Sequence, residues 1–533
     1  MKLSFFGAAH EVTGSCSLIT IGDKNIMIDC GMEQGADIYE NQELSVSPSQ
    51  VDCVLLTHAH IDHSGLIPKL VNEGFKGQIY CTLATKRLCD IMLLDSAHIQ
   101  EFEAAWRNRK AKRSGAEEYV PLYTTADAQR ALLQFCPYEY HTPFSPIDGV
   151  SAEFFDAGHL LGSSSIKLTL TENGQTKTIL FSGDIGNINR PLIRDPETPP
   201  SADYVVIEST YGDRLHGPTP DYVGELSGIL ERTLSRGGNL VVPCFAVGRT
   251  QEMLYLLRII KQNKLVANTD FEVVVDSPLA VSATAVYSPD LTAYYDSETI
   301  EILNSGENPI ALPGLRLSVT SQDSQLINFD PKPKVILSAS GMCEAGRIRH
   351  HLKHNLWREN STVLFVGYQS EGTLGRKLIE GEKSVKLFGE TIAVNCEIAV
   401  MSGISGHADR NMLLGWLKSM PQKPTRVFVN HGNDTVTDLF AQTIMDEIKV
   451  TATAPYSGDV FDLINNEFVE NAPIKRVAKK SKGALRGEAV YDRLLAAFDR
   501  LKTLVTSYKG AANKDIAKLA DSIESLNDRY GKR

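Results

Sequence analysis

Residues 57–65 read Thr57-His58-Ala59-His60-Ile61-Asp62-His63-Ser64-Gly65, and the rest of the chain is read outward from them. Three imidazoles and a carboxylate fall between His58 and His63, so one short loop aims four donors at a common point. With no thiolate beside them, such donors suit a hard-to-borderline divalent ion, and zinc is the commonest in hydrolytic sites. A single catalytic zinc takes about three protein ligands plus water, so a loop that alone offers four predicts two ions. The competing reading is a His-rich surface loop that collects adventitious metal. Against it stands the run V-D-C-V-L-L-T at 51–57, apolar, preceded by Pro48 and leading into the loop, which predicts a buried strand.

The chain has 533 residues, 42% hydrophobic and 22% charged, which predicts a globular protein of several domains with a large core. No stretch approaches the roughly 18 apolar residues of a membrane helix, so no membrane partner is expected. The start, M-K-L-S-F-F-G, lacks a convincing signal-peptide apolar region, which reads as cytoplasmic. Nine cysteines without a C-x-x-C pair read as reduced core residues. The net charge of -11 argues mildly against a nucleic-acid partner. Its distribution is uneven: residues 471–533 hold 15 Lys and Arg against 7 Asp and Glu, so that tail carries +8 and the body -19.

Three more strand ends carry a carboxylate: Asp29 in N-I-M-I-D-C-G, Asp184 in T-I-L-F-S-G-D-I-G, and Glu208 in Y-V-V-I-E-S-T-Y-G. From local sequence a turn cap is the readier reading of Asp29, and Glu208 reads equally as a turn residue. His159, in F-F-D-A-G-H-L-L-G-S, follows an apolar strand and is flanked by glycines that let backbone approach a site closely. Between 213 and about 391 strand and helix patterns alternate, predicting a parallel α/β unit. Gly248-Arg249-Thr250 at a predicted helix start offers a phosphate cradle, or a tight turn with a surface Arg. The cluster R-N-R-K-A-K-R ending at Arg113 reads as a solvated helix end or a grip for substrate phosphates. His350, His351 and His354 read as structural or RNA-facing. In the tail, Val490, Leu494, Phe498, Leu501 and Val505, then Ile516, Leu519, Ile523 and Leu526, step as two amphipathic helices joined near Gly510. Their stripe would bury against the body or against a second chain, a homodimer.

H-x-H-x-D-H after a strand resembles the signature of the metallo-β-lactamase superfamily. V-I-E-S-T-Y-G, then V-P-C-F-A-V-G-R-T-Q-E at 242–252, S-A-S-G-M at 338–342, G-Y-Q-S-E-G-T-L-G-R at 367–376, S-G-H-A-D at 405–409 and V-N-H-G at 429–432 are similar to its β-CASP ribonuclease branch. The resemblance implies an α/β fold: an αββα sandwich at 1–212 and 394–465, an inserted parallel α/β cap at 213–393, and a basic linker with a helical tail at 466–533. It implies that one ion takes His58, His60 and His159, the other Asp62, His63 and His431, with Asp184 between them and Asp29 orienting the loop from below. One departure is Asn433 followed by Asp434, where many relatives carry an acidic residue two after the histidine.

The function this implies is metal-dependent hydrolysis of RNA phosphodiesters by a hydroxide held between two zinc ions, with manganese as the alternative metal. The expected cut is endonucleolytic and leaves 5′-phosphate and 3′-hydroxyl. Asp62 and Asp184 would serve the metal chemistry, and His407, held by Glu208, would protonate the leaving oxygen. Arg249, Thr250, Ser340 and Arg376 are the candidate phosphate contacts. A small-molecule hydrolase of the same fold, acting on a thioester, lactone or β-lactam, shares the metal loop, and a non-catalytic RNA scaffold is the third reading.

Overall fold

The alternating residues at the N-terminus pair as three antiparallel strands, Lys2–Gly7, Cys16–Ile21 and Lys24–Ile28. The apolar run before the histidine loop joins them in parallel as Cys53–Leu55. The structure is a computed structural model that describes residues 1–35, 38–114, 118–217, 220–401, 405–477, 498, 501–502, 505 and 513–530. Among these, the strands form three large sheets and a two-stranded ribbon.

The first sheet runs Glu467–Glu470, Val460–Asp462, Lys2–Gly7, Cys16–Ile21, Lys24–Ile28, Cys53–Leu55, Gln78–Cys81, Phe135–Pro137. The second runs Thr451–Thr453, Arg426–Val429, Tyr204–Ile207, Gln175–Phe181, Ser164–Glu172, Val150–Asp156. Strict alternation puts Val150, Ala152 and Phe154 inside, where they meet Leu3, Phe5, Ile19 and Leu55 of the first sheet in one core. The outer face of the first sheet, with Leu18, Val54 and Leu56, packs on Ile67, Leu88 and Leu93 from the helices Ile67–Asn72 and Leu83–Ser114. That of the second packs on Leu413, Leu417, Phe440 and Ile444 from Arg410–Lys418 and Asp434–Ile448. The layers are therefore α, β, β, α.

The third sheet is all parallel, in the order Leu315–Ser318, Glu272–Asp276, Lys334–Ser338, Leu240–Pro243, Thr362–Phe365, Glu397–Val400. Its central strands are near-continuous β-branched runs because helices cover both faces. Ile336, Val363 and Phe365 face Ile348, Leu352 and Leu378. Val242, Val273 and Leu337 face Leu226, Leu230, Met253 and Leu257 in a core continuous with that of the first sheet's helices, so the cap is seated on the sandwich by apolar packing.

Two expected boundaries move. Glu397–Val400 hydrogen-bonds to Thr362–Phe365, so the cap's sheet reaches past 393. Glu467–Glu470 pairs with Val460–Asp462, which takes the sandwich past 465. In both cases a short strand with a weak pattern is held by its neighbour's free edge rather than by its own composition. The chain divides into a unit of Met1–Lys475 and one of Arg476–Arg533. In the second, Asn513–Tyr530 is helical as expected, and Val490 and Leu494 of the other expected helix lie outside the described residues. Among the described residues no helix is long and apolar enough to cross a membrane.

Candidate metal centre

Strand Cys53–Leu55 delivers the histidine loop, and Ile61–Ser64 makes one helical turn that presents Asp62 and His63. Beneath it sits Asp29, in the left-handed region at φ 58°. Its Oδ1 accepts from the Thr57 N–H at 2.8 Å, and its Oδ2 lies 2.7 Å from His63 Nδ1. A hydrogen bond from His63 Nδ1–H to this carboxylate leaves the ring's Nε2 facing His431.

The donors gather into two groups, His58, His60, His159 and Asp184, and Asp62, His63 and His431. Asp184 stands between them. Its Oδ2 is 3.5 Å from His58 Nε2 and 3.6 Å from His159 Nε2; its Oδ1 is 3.3 Å from His63 Nε2 and 3.6 Å from His431 Nδ1. Oδ1 is buried and has no hydrogen-bond partner among the described residues, an arrangement that a shared cation satisfies. Imidazole nitrogens crowd in the same way: His58 Nε2 and His60 Nδ1 are 3.0 Å apart, His63 Nε2 and His431 Nε2 3.1 Å. Burial, helped by neighbouring imidazoles, holds His58 and His159 well below the ordinary histidine range, whereas at His63 and His431 burial is outweighed by the charge of Asp184, which holds them up. The residues fit two divalent ions.

The turns carrying His159 and Asp184 meet backbone to backbone: a Cβ on Gly186 would lie 1.8 Å from the Gly158 carbonyl oxygen. This is the reason for glycine at 186, the last residue of G-D-I-G. Beside them, His407 Nδ1 lies 3.1 Å from Glu208 Oε2, while Glu208 Oε1 accepts from the Ile185 N–H at 2.6 Å. Burial would lower the His407 imidazole, but the charge and hydrogen bond of Glu208 outweigh it and hold it up at about 9.

Arg190 ties the site to the cap. It donates through Nη1 to the carbonyls of His159 at 2.6 Å and Gly406 at 3.2 Å, and through Nε to Glu252 at 3.0 Å. The Gly406 carbonyl also lies 3.0 Å from His159 Nδ1. Glu252 belongs to the cap helix Arg249–Gln262, so one guanidinium links the His159 turn, the loop before His407 and the cap.

Three family models match: the metallo-beta-lactamase superfamily over residues 11–232, the Beta-Casp domain over 250–378, and the Zn-dependent metallo-hydrolase RNA specificity domain over 391–455. Ribonuclease TTHA0252 of Thermus thermophilus is 37% identical over 81% of this chain and 94% of its own length. The chain belongs to the β-CASP branch of the metallo-β-lactamase superfamily. The RNase J-like protein of Methanocaldococcus jannaschii is 31% identical over 86% of this chain and 99% of its own. Transcription termination factor FttA of Methanosarcina mazei is 29% identical over 85% and 70%.

Within this β-CASP chain the candidate phosphate contacts fare differently from the metal donors. Thr250 is buried, its hydroxyl donating to the Phe245 carbonyl at 2.7 Å, and Arg249 is largely buried and paired with Glu252. Gly248 stands at a tight turn, φ 80°, before the helix. Arg376 pairs with Glu380 at the end of the helix Leu374–Ile379, and the Ser340 hydroxyl donates to the Ala345 carbonyl at 3.3 Å. His351 is buried between Asp276 and Asn328, a structural histidine. Asp434 faces His10 at 3.1 Å, and the adjoining Ala8 and Glu11 carbonyls receive the N–H groups of His431 and Gly432. These contacts hold the loop that carries the departure at Asn433 and Asp434. Sequence reading missed Arg190 and Glu252. Neither stands at a spacing that marks a site, and only the fold brings them together.

Proposed function

We propose that this chain is a metal-dependent ribonuclease that hydrolyses RNA phosphodiesters at a two-metal centre, with zinc as the resident ion, cutting internally and leaving 5′-phosphate and 3′-hydroxyl ends. The observation that carries the reading is Asp184, with one carboxylate oxygen toward each ligand group. Relatives named ribonuclease and RNase J-like protein, and the match to an RNA specificity domain, support RNA as the substrate. Bound ions would supply acidified water and charge neutralisation at phosphorus. His58, His60 and His159 would hold one, and Asp62, His63 and His431 the other. Asp29 orients His63. His407, its Nδ1 toward Glu208, is the group that gives the leaving 3′-oxygen its proton.

The test is to incubate the zinc-loaded protein with a 5′-labelled RNA and with the same RNA circularised, using Asp184→Ala as the control. Cleavage of the circle, absent in the control, is expected. Mononucleotides from the linear RNA alone would replace internal cutting by a 5′-exonuclease, and no reaction with either RNA would overturn the ribonuclease reading.

A further inference from the structure

Residues 347–358 read R-I-R-H-H-L-K-H-N-L-W-R: four Arg and Lys, three His and no carboxylate, in a chain of net charge -11. The chemistry at the metal centre uses none of them. Helix Ile348–Asn355 turns Ile348, His351, Leu352 and Asn355 into the cap, which leaves Arg349, His350, Lys353 and His354 on its outer side, with Trp357 following. His350 and His354 are one turn apart, about 6 Å along the axis, and Trp357 comes about 4.5 Å further.

Large aromatic residues from other segments join this line. Phe388, at the turn of the ribbon Ser384–Leu387 and Glu390–Ala393, stacks on His350 with centroids 4.4 Å apart. The Arg349 guanidinium lies 5.0 Å from the Phe388 ring centre. Phe329 meets His354 edge-on at 5.8 Å, and Arg358 lies over Trp357 at 5.4 Å. Phe329, Trp357 and Phe388 are 73%, 51% and 47% exposed. Lys353 is held by Glu390 at 2.6 Å, whereas among the described residues neither Arg349 nor Arg358 forms an ion pair. Burial, then the nearby cations, hold His350 and His354 below the ordinary range, so at neutral pH they offer ring faces rather than charge.

A face meant for phosphate alone would not keep three aromatics in water. Stacking rings interleaved with cations suit unpaired nucleotides, whose base faces a duplex would hide. The Asn355 end of the helix bonds Asn239, which precedes strand Leu240–Pro243, whereas the Arg190–Glu252 link follows the other end of that strand. The face therefore extends away from the metal cleft.

We propose that this face of the cap is a second contact for single-stranded RNA, with Phe329, Trp357 and Phe388 stacking on bases and Arg349 and Arg358 contacting phosphates. It rests on the ribonuclease reading and extends it, since it would hold RNA that has passed beyond the cleft. The probe is an oligouridylate of about 30 nucleotides, longer than a single aromatic groove covers, added to the full chain. Trp357, one of three tryptophans, reports by fluorescence. The wild type should be quenched, and that quench should be missing in Trp357→Phe. Trp357→Ala with Phe388→Ala should weaken binding about tenfold or more and raise the KM for the long RNA, while cleavage of an RNA short enough to occupy only the cleft stays unchanged. Arg349→Gln with Arg358→Gln should flatten the slope of log affinity against log salt by about 1.4, two single-strand phosphate contacts. Equal quench, affinity and KM across these variants would overturn the proposal. So would a wild-type dimer that the aromatic double variant dissociates, because the face would then be a protein interface. A Trp357 quench with no cleavage of any RNA would leave this surface standing and remove the ribonuclease reading alone.

Discussion

At the scale of single residues, two carboxylates of the candidate centre contrast. Asp184 lies between the groups of donors and its Oδ1 has no hydrogen-bond partner among the described residues, while Asp29 is engaged by Thr57, Ser15 and His63. Asp29→Ala should therefore weaken metal binding by about 10–100-fold without removing a ligand, read by zinc competition against a chromophoric chelator. His407 lies outside the two imidazole groups and contacts Glu208. His407→Ala should cut turnover by about 10²–10⁴-fold while two metal equivalents remain by elemental analysis; a fully active variant, or one that has lost zinc, sinks the assignment. Gly186→Ala should fail to assemble the site, because the added Cβ meets backbone and not a yielding side chain.

Between elements, the link to examine is Arg190 with Glu252. Burial pushes the Glu252 carboxyl up, and the Arg190 and Arg249 guanidiniums outweigh it, holding it at about 2 against an ordinary 4.5. A depressed carboxylate contributes stability that is complete above the unfolded value, near 4.5, and is lost as pH falls through about 2. The amount is on the order of 3 kcal/mol. Urea melts from pH 6 down to 3 should show the wild type losing more stability than Glu252→Gln. Arg190→Lys keeps the charge but loses the fork that reaches His159, Gly406 and Glu252 together. It should lower kcat more than it raises KM, and the Co²⁺-substituted spectrum should shift as His159 reorients. An unchanged spectrum with normal kcat would reduce the link to packing.

At the scale of the molecule, residues 1–475 form one unit that contains all the cores described. A chain ending at Lys475 should melt cooperatively within a few degrees of the full protein and take up the same metal, checked by circular dichroism and elemental analysis. Much of this unit was legible beforehand. An apolar run marked the strand before the loop, alternating strand and helix patterns marked the parallel cap, and H-x-H-x-D-H marked the loop, because pattern and donor spacing are local properties of the chain. Where each carboxylate strand end belonged was local knowledge only in part. Asp29, Asp184 and Glu208 look alike as capped turns, and sheet order alone put one under the loop, one between the ligand groups and one against His407. At Arg249 a glycine before a helix looks the same in sequence whether the anion beside it is a substrate or Glu252 three residues on, and the fold supplies Glu252. The sequence by itself determined which chemistry the chain carries, since donor type and spacing are written in it. Only the tertiary structure decided which donors share a centre and which cations are already paired, because distances between residues far apart in the chain exist only once the sheets have packed.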